Sequence, residues 1–261
     1  MNPTNSAFGV LYVATGKSYV SEAISSAQTS KLYDPSIAIH LCCDSIYDLD
    51  LSCFNSISIL DSPSYSYRDK VAALLSPPFE KTLFLDTDAF IISPISHLQS
   101  SIFNFDLSAC FAPCRIPAGF NDATIPNFFP EYNSGVLFLR NSETISSLIS
   151  DWLDLYDRLF VEYDQHWDQA SLRTVLWNYT NNPSFSLLTL PPEFNVRLTK
   201  PWIIGRGIPA YILHGRLPPR ELPILADYMN SDIDCFRTCN DWYAKYPDSL
   251  IKMRFARPSC L

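Results

Sequence analysis

Apolar runs too short to be helices, separated by segments of helical spacing, narrow the fold of this chain more than any other feature. FGVLYVA, SIAIHLCC and SISIL begin at Phe8, Ser36 and Ser56, and each gives way to turn residues within eight positions. Runs of that length read as strands buried on both faces. Between the first two lies SYVSEAISSAQTSKLY, with Tyr19, Ala23, Ile24 and Ala27 at helical steps, and RDKVAALL is a short helix closed by Ser76-Pro77-Pro78. KTLFLDTDAFIISPI, from Lys81 to Ile95, supplies a fourth strand. Strands and helices alternating in this way imply βαβ units and a mainly parallel sheet covered on its faces, the α/β class.

Further along, LSACFA and SGVLFLR are strand-like. Ile145, Leu148, Ile149, Trp152, Tyr156, Leu159 and Phe160 recur at three- and four-residue steps, which predicts an amphipathic helix over residues 144–160. Residues 167–179 read as another helix, FSLLTL as a strand and PAYILH as the last strand. After Gly215 the composition shifts, with four prolines between Pro218 and Pro247. The expected organisation is one domain over residues 1–216 and a proline-rich extension over 217–261 that packs on it.

The fourth strand carries the chemistry. Asp86 and Asp88 follow Leu83, Phe84 and Leu85 without a break, and buried carboxylates are costly unless paired, hydrogen-bonded or metal-bound. Side chains two apart on an extended chain point to one side, so the two acids should converge while Thr87 turns away. In open α/β sheets, ligands bind beyond the carboxyl ends of the strands, where this pair lies. Two convergent carboxylates suit magnesium or manganese, completed in part by a substrate phosphate. A lone aspartate at a strand end is commonly a turn cap; two together favour the metal. D-x-D also fits a phosphatase with an aspartyl nucleophile, but such enzymes place the motif near the chain start and follow it with Gly/Thr-rich turns, and here Ala89-Phe90-Ile91-Ile92 follows.

A net charge of −8 and the absence of a long basic run exclude an ordinary nucleic-acid binder. An anionic substrate would therefore need a local device such as a metal ion. No apolar segment reaches bilayer length, and the N-terminus lacks the pattern of a signal peptide, so the expectation is a cytoplasmic protein with eight reduced cysteines. Cys110/Cys114 and Cys235/Cys239 share a C-x3-C spacing, but Cys110 lies in an apolar run where a free thiol acts as a small hydrophobe.

Taken in order, the motifs resemble glycosyltransferase family 8, the glycogenin and bacterial galactosyl- and glucosyltransferase type with the GT-A fold. ATGKSYVSEAISSAQTS is similar to the family's first strand and helix, and the stretch from Tyr65 to Leu98 to the segment around its D-x-D. EYNSGVLFLR, HWDQASLR, LLTLPPEFNVR and AYILHG resemble its later motifs, so the resemblance covers residues 8–216. It implies sugar transfer from a nucleoside-diphosphate sugar, most often UDP-linked, with manganese (or magnesium) and retention at the anomeric carbon. The acceptor could be a glycan, a lipid-linked glycan or a protein. By the same resemblance Asp86, Asp88 and His214 hold the metal, Asp86 also touching the ribose. Tyr12, Ala14, Thr15 and Tyr19 lie where uracil and ribose bind, and Arg68 and Lys70 where diphosphate or donor sugar is gripped. Asn133 opens the acceptor-side wall, and Asp168 and Gln169 stand near the reacting carbon. Family members continue from the histidine through Gly to Lys-Pro-Trp, whose lysine holds the diphosphate. This chain reads His214-Gly215-Arg216-Leu217-Pro218-Pro219-Arg220, which leaves Arg216 or Arg220 to take the lysine's part.

Overall fold

A computed structural model describes residues 7–113, 117 and 119–251. Strand β1 (Phe8–Ala14) leads through Gly16 into helix α1 (Lys17–Tyr33), then β2 (Ala38–Cys43), β3 (Ser56–Ile59) and α2 (Arg68–Ala73). Strands β4 (Lys81–Leu85) and β5 (Ala89–Ile91) precede the single turn α3 (Gln99–Ile102) and β6 (Leu107–Phe111). The long β7 (Tyr132–Arg140) is followed by α4 (Glu143–Tyr163) and α5 (Gln169–Tyr179). Short strands β8 (Leu187–Thr189), β9 (Val196–Arg197), β10 (Ile203–Ile204) and β11 (Ile212–His214) come next. Helix α6 (Leu222–Asn230), β12 (Arg237–Thr238) and α7 (Cys239–Lys245) complete the order.

Seven strands form one sheet in the order β3-β2-β1-β4-β7-β6-β8. Only β7 runs against its neighbours, so the sheet is mainly parallel, as the alternation of strands and helices predicts. The two-residue period of β1 shows how its faces are covered. Val10, Tyr12 and Ala14 pack with Val20, Ala23 and Ala27 of α1, whereas Leu11 packs with Val71 of α2 and with residues of α4 and α5. In α4 the apolar stripe converges on Trp152, fully buried, whose truncation class is worth about 3–5 kcal/mol. Ser142 caps this helix by accepting from Ile145 N at 3.3 Å.

Two small sheets, β5-β11-β9 and β10-β12, share a third core with α6 and α7, built from Phe90, Ile92, Trp202, Leu225, Met229 and Trp242. The segment after residue 216, read in the sequence as a wrapping extension, thus contributes two helices and a strand among its described residues. PAYILH is not the last strand, because β12 pairs with β10. Pro223 lies in the first turn of α6, where its missing N–H costs nothing. Arg237 fastens this part by donating to the carbonyls of Met229 (2.8 Å), Ile208 (3.2 Å) and Gly205. Among the described residues, no helix is long and apolar enough to cross a membrane. Cys110 is buried, its Sγ donating to the Pro191 carbonyl at 3.1 Å, and burial pushes its thiol up. Cys114 lies outside the described residues.

Candidate functional site

The large sheet ends at Leu85, and the chain leaves it in a tight turn. Asp86 N donates to the Gly135 carbonyl at 2.8 Å, the last link to β7, and Ala89 N donates back to the Asp86 carbonyl at 3.0 Å. From Ala89 onward the partner is β11, and Gly215 N donates to the Asp88 carbonyl at 2.9 Å. The single strand expected from Lys81 to Ile95 is therefore two strands in two sheets. The aspartates converge through a turn, not along one extended segment. Thr87 points away from them, its hydroxyl donating to Glu22 Oε2 at 2.9 Å.

His214 reaches the same place from β11. Its Nε2 lies 3.5 Å from Asp88 Oδ1 and 3.7 Å from Asp86 Oδ2, and one ligand atom from each of the three residues falls within 4.8 Å of the others. Two carboxylates and one imidazole make a donor set that fits a small divalent cation, with the imidazole favouring manganese over magnesium. Burial pushes the His214 imidazole below its ordinary value and the Arg197 guanidinium adds to this, so the ring keeps a lone pair to offer. Burial opposes ionisation of Asp88, but His214, Arg197 and Arg216 hold its carboxyl well below the usual range. With a neutral imidazole at pH 7, the two guanidiniums supply that charge.

Gly135 permits the encounter. A Cβ there would stand 2.3 Å from Asp86 Oδ2 and 2.4 Å from His214 Cε1. The His214 ring is fully enclosed and cannot yield cheaply. Gly135→Ala is expected to cost about 1–3 kcal/mol of stability by overpacking, measured as a lower urea midpoint at unchanged slope. An unaltered midpoint would mean that the aspartate and histidine have room to part.

A second acid joins the site through Lys70. This side chain, 7% exposed, places Nζ 3.0 Å from Asp168 Oδ2, an ion contact off the ideal hydrogen-bond direction, and 3.3 Å from Asp86 Oδ1. It also donates to Ser134 Oγ at 3.1 Å. Burial alone would lower the Lys70 ammonium, but Asp168 and Asp86 outweigh it and hold it above its ordinary value. Asp168 stands at the start of α5. The Trp152 indole donates to the Asp168 carbonyl and to Ser171 Oγ, both at 3.1 Å, so the packed face of α4 sets where this acid sits.

Gln169 heads a relay of side-chain amides. His214 Nδ1 donates to Asn195 Oδ1 (2.9 Å), Asn195 Nδ2 to Asn133 Oδ1 (2.8 Å), Asn133 Nδ2 to Gln169 Oε1 (2.6 Å), and Gln169 Nε2 to Glu131 Oε1 (2.6 Å). Every bond runs in one direction and the last ends on a carboxylate. The His214 proton thereby stays on Nδ1, leaving Nε2 toward the aspartates. Burial pushes Glu131 up to about 7 from its ordinary 4.5, although the Gln169 bond pulls the other way. The folded state then binds more protons than the unfolded state between these values, so stability should fall as pH rises through that window. Glu131→Gln should flatten the decline in urea unfolding measured across it, and equal slopes in both proteins would contradict the assignment.

The remaining expected residues divide. Ala14 ends β1 and Thr15 follows it at the same sheet edge, since Tyr12 pairs with Leu85 in the register that leads to Asp86, although the Ala14 side chain is buried on the face that packs on α1. Tyr19 is exposed there, with the Arg216 guanidinium 5.8 Å from its ring, and Arg216 pairs with Glu22 at 2.7 Å. Tyr12 is instead fully buried, its hydroxyl 2.7 Å from Ser26 Oγ and 3.1 Å from Ser30 Oγ, because its even position on β1 faces α1. Arg68 turns toward α4 and grips Asp157 at 2.8 and 3.0 Å, away from the carboxylates. Arg220 is exposed beside Glu221, outside the group. Glu131, Asn195 and Arg197 went unread in the sequence. Asn195 and Arg197 carry the same two-residue spacing as the aspartates, and that period is the signal that points both inward.

No family model and no curated protein matches this chain. Solved structures do. The galactosyltransferase LgtC in complex with donor and acceptor sugar analogs aligns with a TM-score of 0.52 at 12% identity, covering 91% of this chain and 99% of that one. An active-site mutant of LgtC gives 0.53 at 14%, covering 81% and 89%. The apo form of the glycosyltransferase GlyE from Streptococcus pneumoniae TIGR4 gives 0.58 at 16%, covering 92% of this chain and 64% of that one. The likeness is one of fold, and the fold is GT-A.

Proposed function

We propose that this protein is a glycosyltransferase that moves a sugar from a nucleoside-diphosphate sugar, UDP-linked by preference, to a glycan, lipid-linked or protein acceptor. The reading includes retention at the anomeric carbon, dependence on manganese or magnesium, and a cytoplasmic place of action. One observation carries it: Asp86, Asp88 and His214 converge beyond the carboxyl end of β4, in a fold shared with glycosyltransferases. These three residues would hold the cation, which when bound supplies Lewis-acid relief of the charge developing on the leaving diphosphate.

The chain's own residues do the rest. The relay from Glu131 keeps the His214 proton on Nδ1, and Lys70 ties Asp168 to the same wall as Asp86. Asp168 and Gln169 are the pair proposed to stabilise positive charge at the reacting carbon or to bind sugar hydroxyls. Ala14, Thr15 and Tyr19 would line the base and ribose, and Asn133 the acceptor side.

The test is nucleotide release from a panel of UDP-, GDP- and ADP-sugars with manganese, repeated after chelation and re-addition of metal. Metal-dependent release from at least one donor is expected. Absence of both release and binding with every donor would sink the reading. A second reading, a nucleotide- or glycan-binding relative without turnover, is favoured by the missing Lys-Pro-Trp after Gly215. It requires UDP binding with no transfer to any acceptor.

A further inference from the structure

Three cations that the sequence places near the site are each answered by a carboxylate. Lys70 faces Asp86 and Asp168, Arg68 faces Asp157, and Arg216 faces Glu22. Arg197 differs. Among the described residues no ion pair joins it to an acid. Its hydrogen bonds run from Nη1 to the two ring nitrogens of His214, at 2.9 Å from Nδ1 and 2.7 Å from Nε2. Since Nδ1 carries the proton given to Asn195, Nε2 is the acceptor for the guanidinium. That atom is also the one that joins Asp86 and Asp88 in the donor set. Arg197 lies beside His214 in the β9–β11 register and is only partly exposed; burial pushes its guanidinium down, and Asp86 and Asp88 offset this only from a distance, without an ion pair.

A cation with no carboxylate in direct contact, at the edge of a metal group, is suited to an anion that arrives with the metal. Resting on the transferase reading, we infer that Arg197 grips the phosphate oxygens of a nucleoside diphosphate, in the role that either Arg216 or Arg220 was expected to take. Arg216 is held by Glu22 at the rim, and Arg220 is exposed outside the group. Arg197 reaches from β9 to the place where the diphosphate would meet Asp86, Asp88 and His214. Its contact with His214 Nε2 is one that it would exchange for the two-point geometry that guanidinium makes with phosphate.

Calorimetric titration of the full chain separates the possibilities, with UDP plus manganese as one probe and manganese alone as the other. Arg197→Met should weaken UDP binding by about tenfold or more, since a hydrogen bond to a charged group is worth that much. Arg197→Lys should recover part of the loss. Affinity for manganese alone should stay level or rise in both variants, because the competitor for Nε2 is gone. A parallel loss of manganese binding in both would mean that Arg197 only supports His214, and would overturn the assignment. Unchanged UDP binding in Arg197→Met would remove the assignment alone, whereas no UDP binding by the wild type would remove it together with the transferase reading. Arg197→Lys, which keeps the charge, guards against a methionine variant that fails to fold.

Discussion

Replacing Lys70 with methionine should lower the unfolding free energy by about 3–5 kcal/mol, the usual result of deleting one partner of a buried ion pair. The size follows from what is left behind. Asp168 is 3% exposed at its side chain and has no other cation at ion-pair distance among the described residues, while Asp86 keeps partial access to water. The loss should therefore fall mainly on Asp168. The ammonium is held above its ordinary value, so the pair's contribution is complete below that value and fades only as pH rises through the folded one. The deficit should be constant from about pH 6 to 9. Urea unfolding of both proteins over that range measures it, and a deficit below about 1 kcal/mol would place the pair among weakly coupled surface ions.

The second large effect is on activity. Asp88→Ala should reduce metal-dependent transfer by about a hundredfold or more. Loss of a group that merely orients a metal ligand costs 10–100-fold, which sets a floor for loss of a ligand itself. Stability should fall less than in the Lys70 variant, because Asp88 keeps partial access to water and its loss leaves no carboxylate buried without a partner, although the favourable charges of Arg197 and Arg216 on it are forfeited. Metal titration and steady-state transfer would be read together on the same preparation. Full activity in Asp88→Ala would show that the chemistry does not pass through this carboxylate, and the D-x-D would then be a turn cap.

The alternation of apolar runs with helical segments made the order from β1 to β4 and the helices α1, α2, α4 and α5 legible, because burial on two faces leaves an unbroken hydrophobic string. The turn at Asp86 was not legible. Ala89-Phe90-Ile91-Ile92 is as apolar as Leu83-Phe84-Leu85, and local composition cannot say that the second run changes partner. Helices α6 and α7 were hidden for the opposite reason, since prolines at helix starts and loops read as a continuous interruption. In the site, residues named on long motifs are brought near one another: Asp86, Asp88, Lys70, Asn133, Asp168, Gln169 and His214 are joined by contacts or hydrogen bonds. Tyr12 and Arg68 were misplaced by face and by partner, which depend on neighbours distant in sequence. Glu131 and Arg197 escaped because their importance comes from what they touch.

Only Asp86, Thr87 and Asp88 separate the seven-stranded sheet from the three-stranded one, and His214 belongs to the smaller. Anything that binds all three donors therefore acts as a rivet across a seam, joining two bodies whose covalent link along this path is a single turn. The smaller sheet carries α6 and α7 on its other flank. Occupancy of the site would then be felt as slower backbone exchange far from it, in α6 and α7, without any of their atoms touching the ligand.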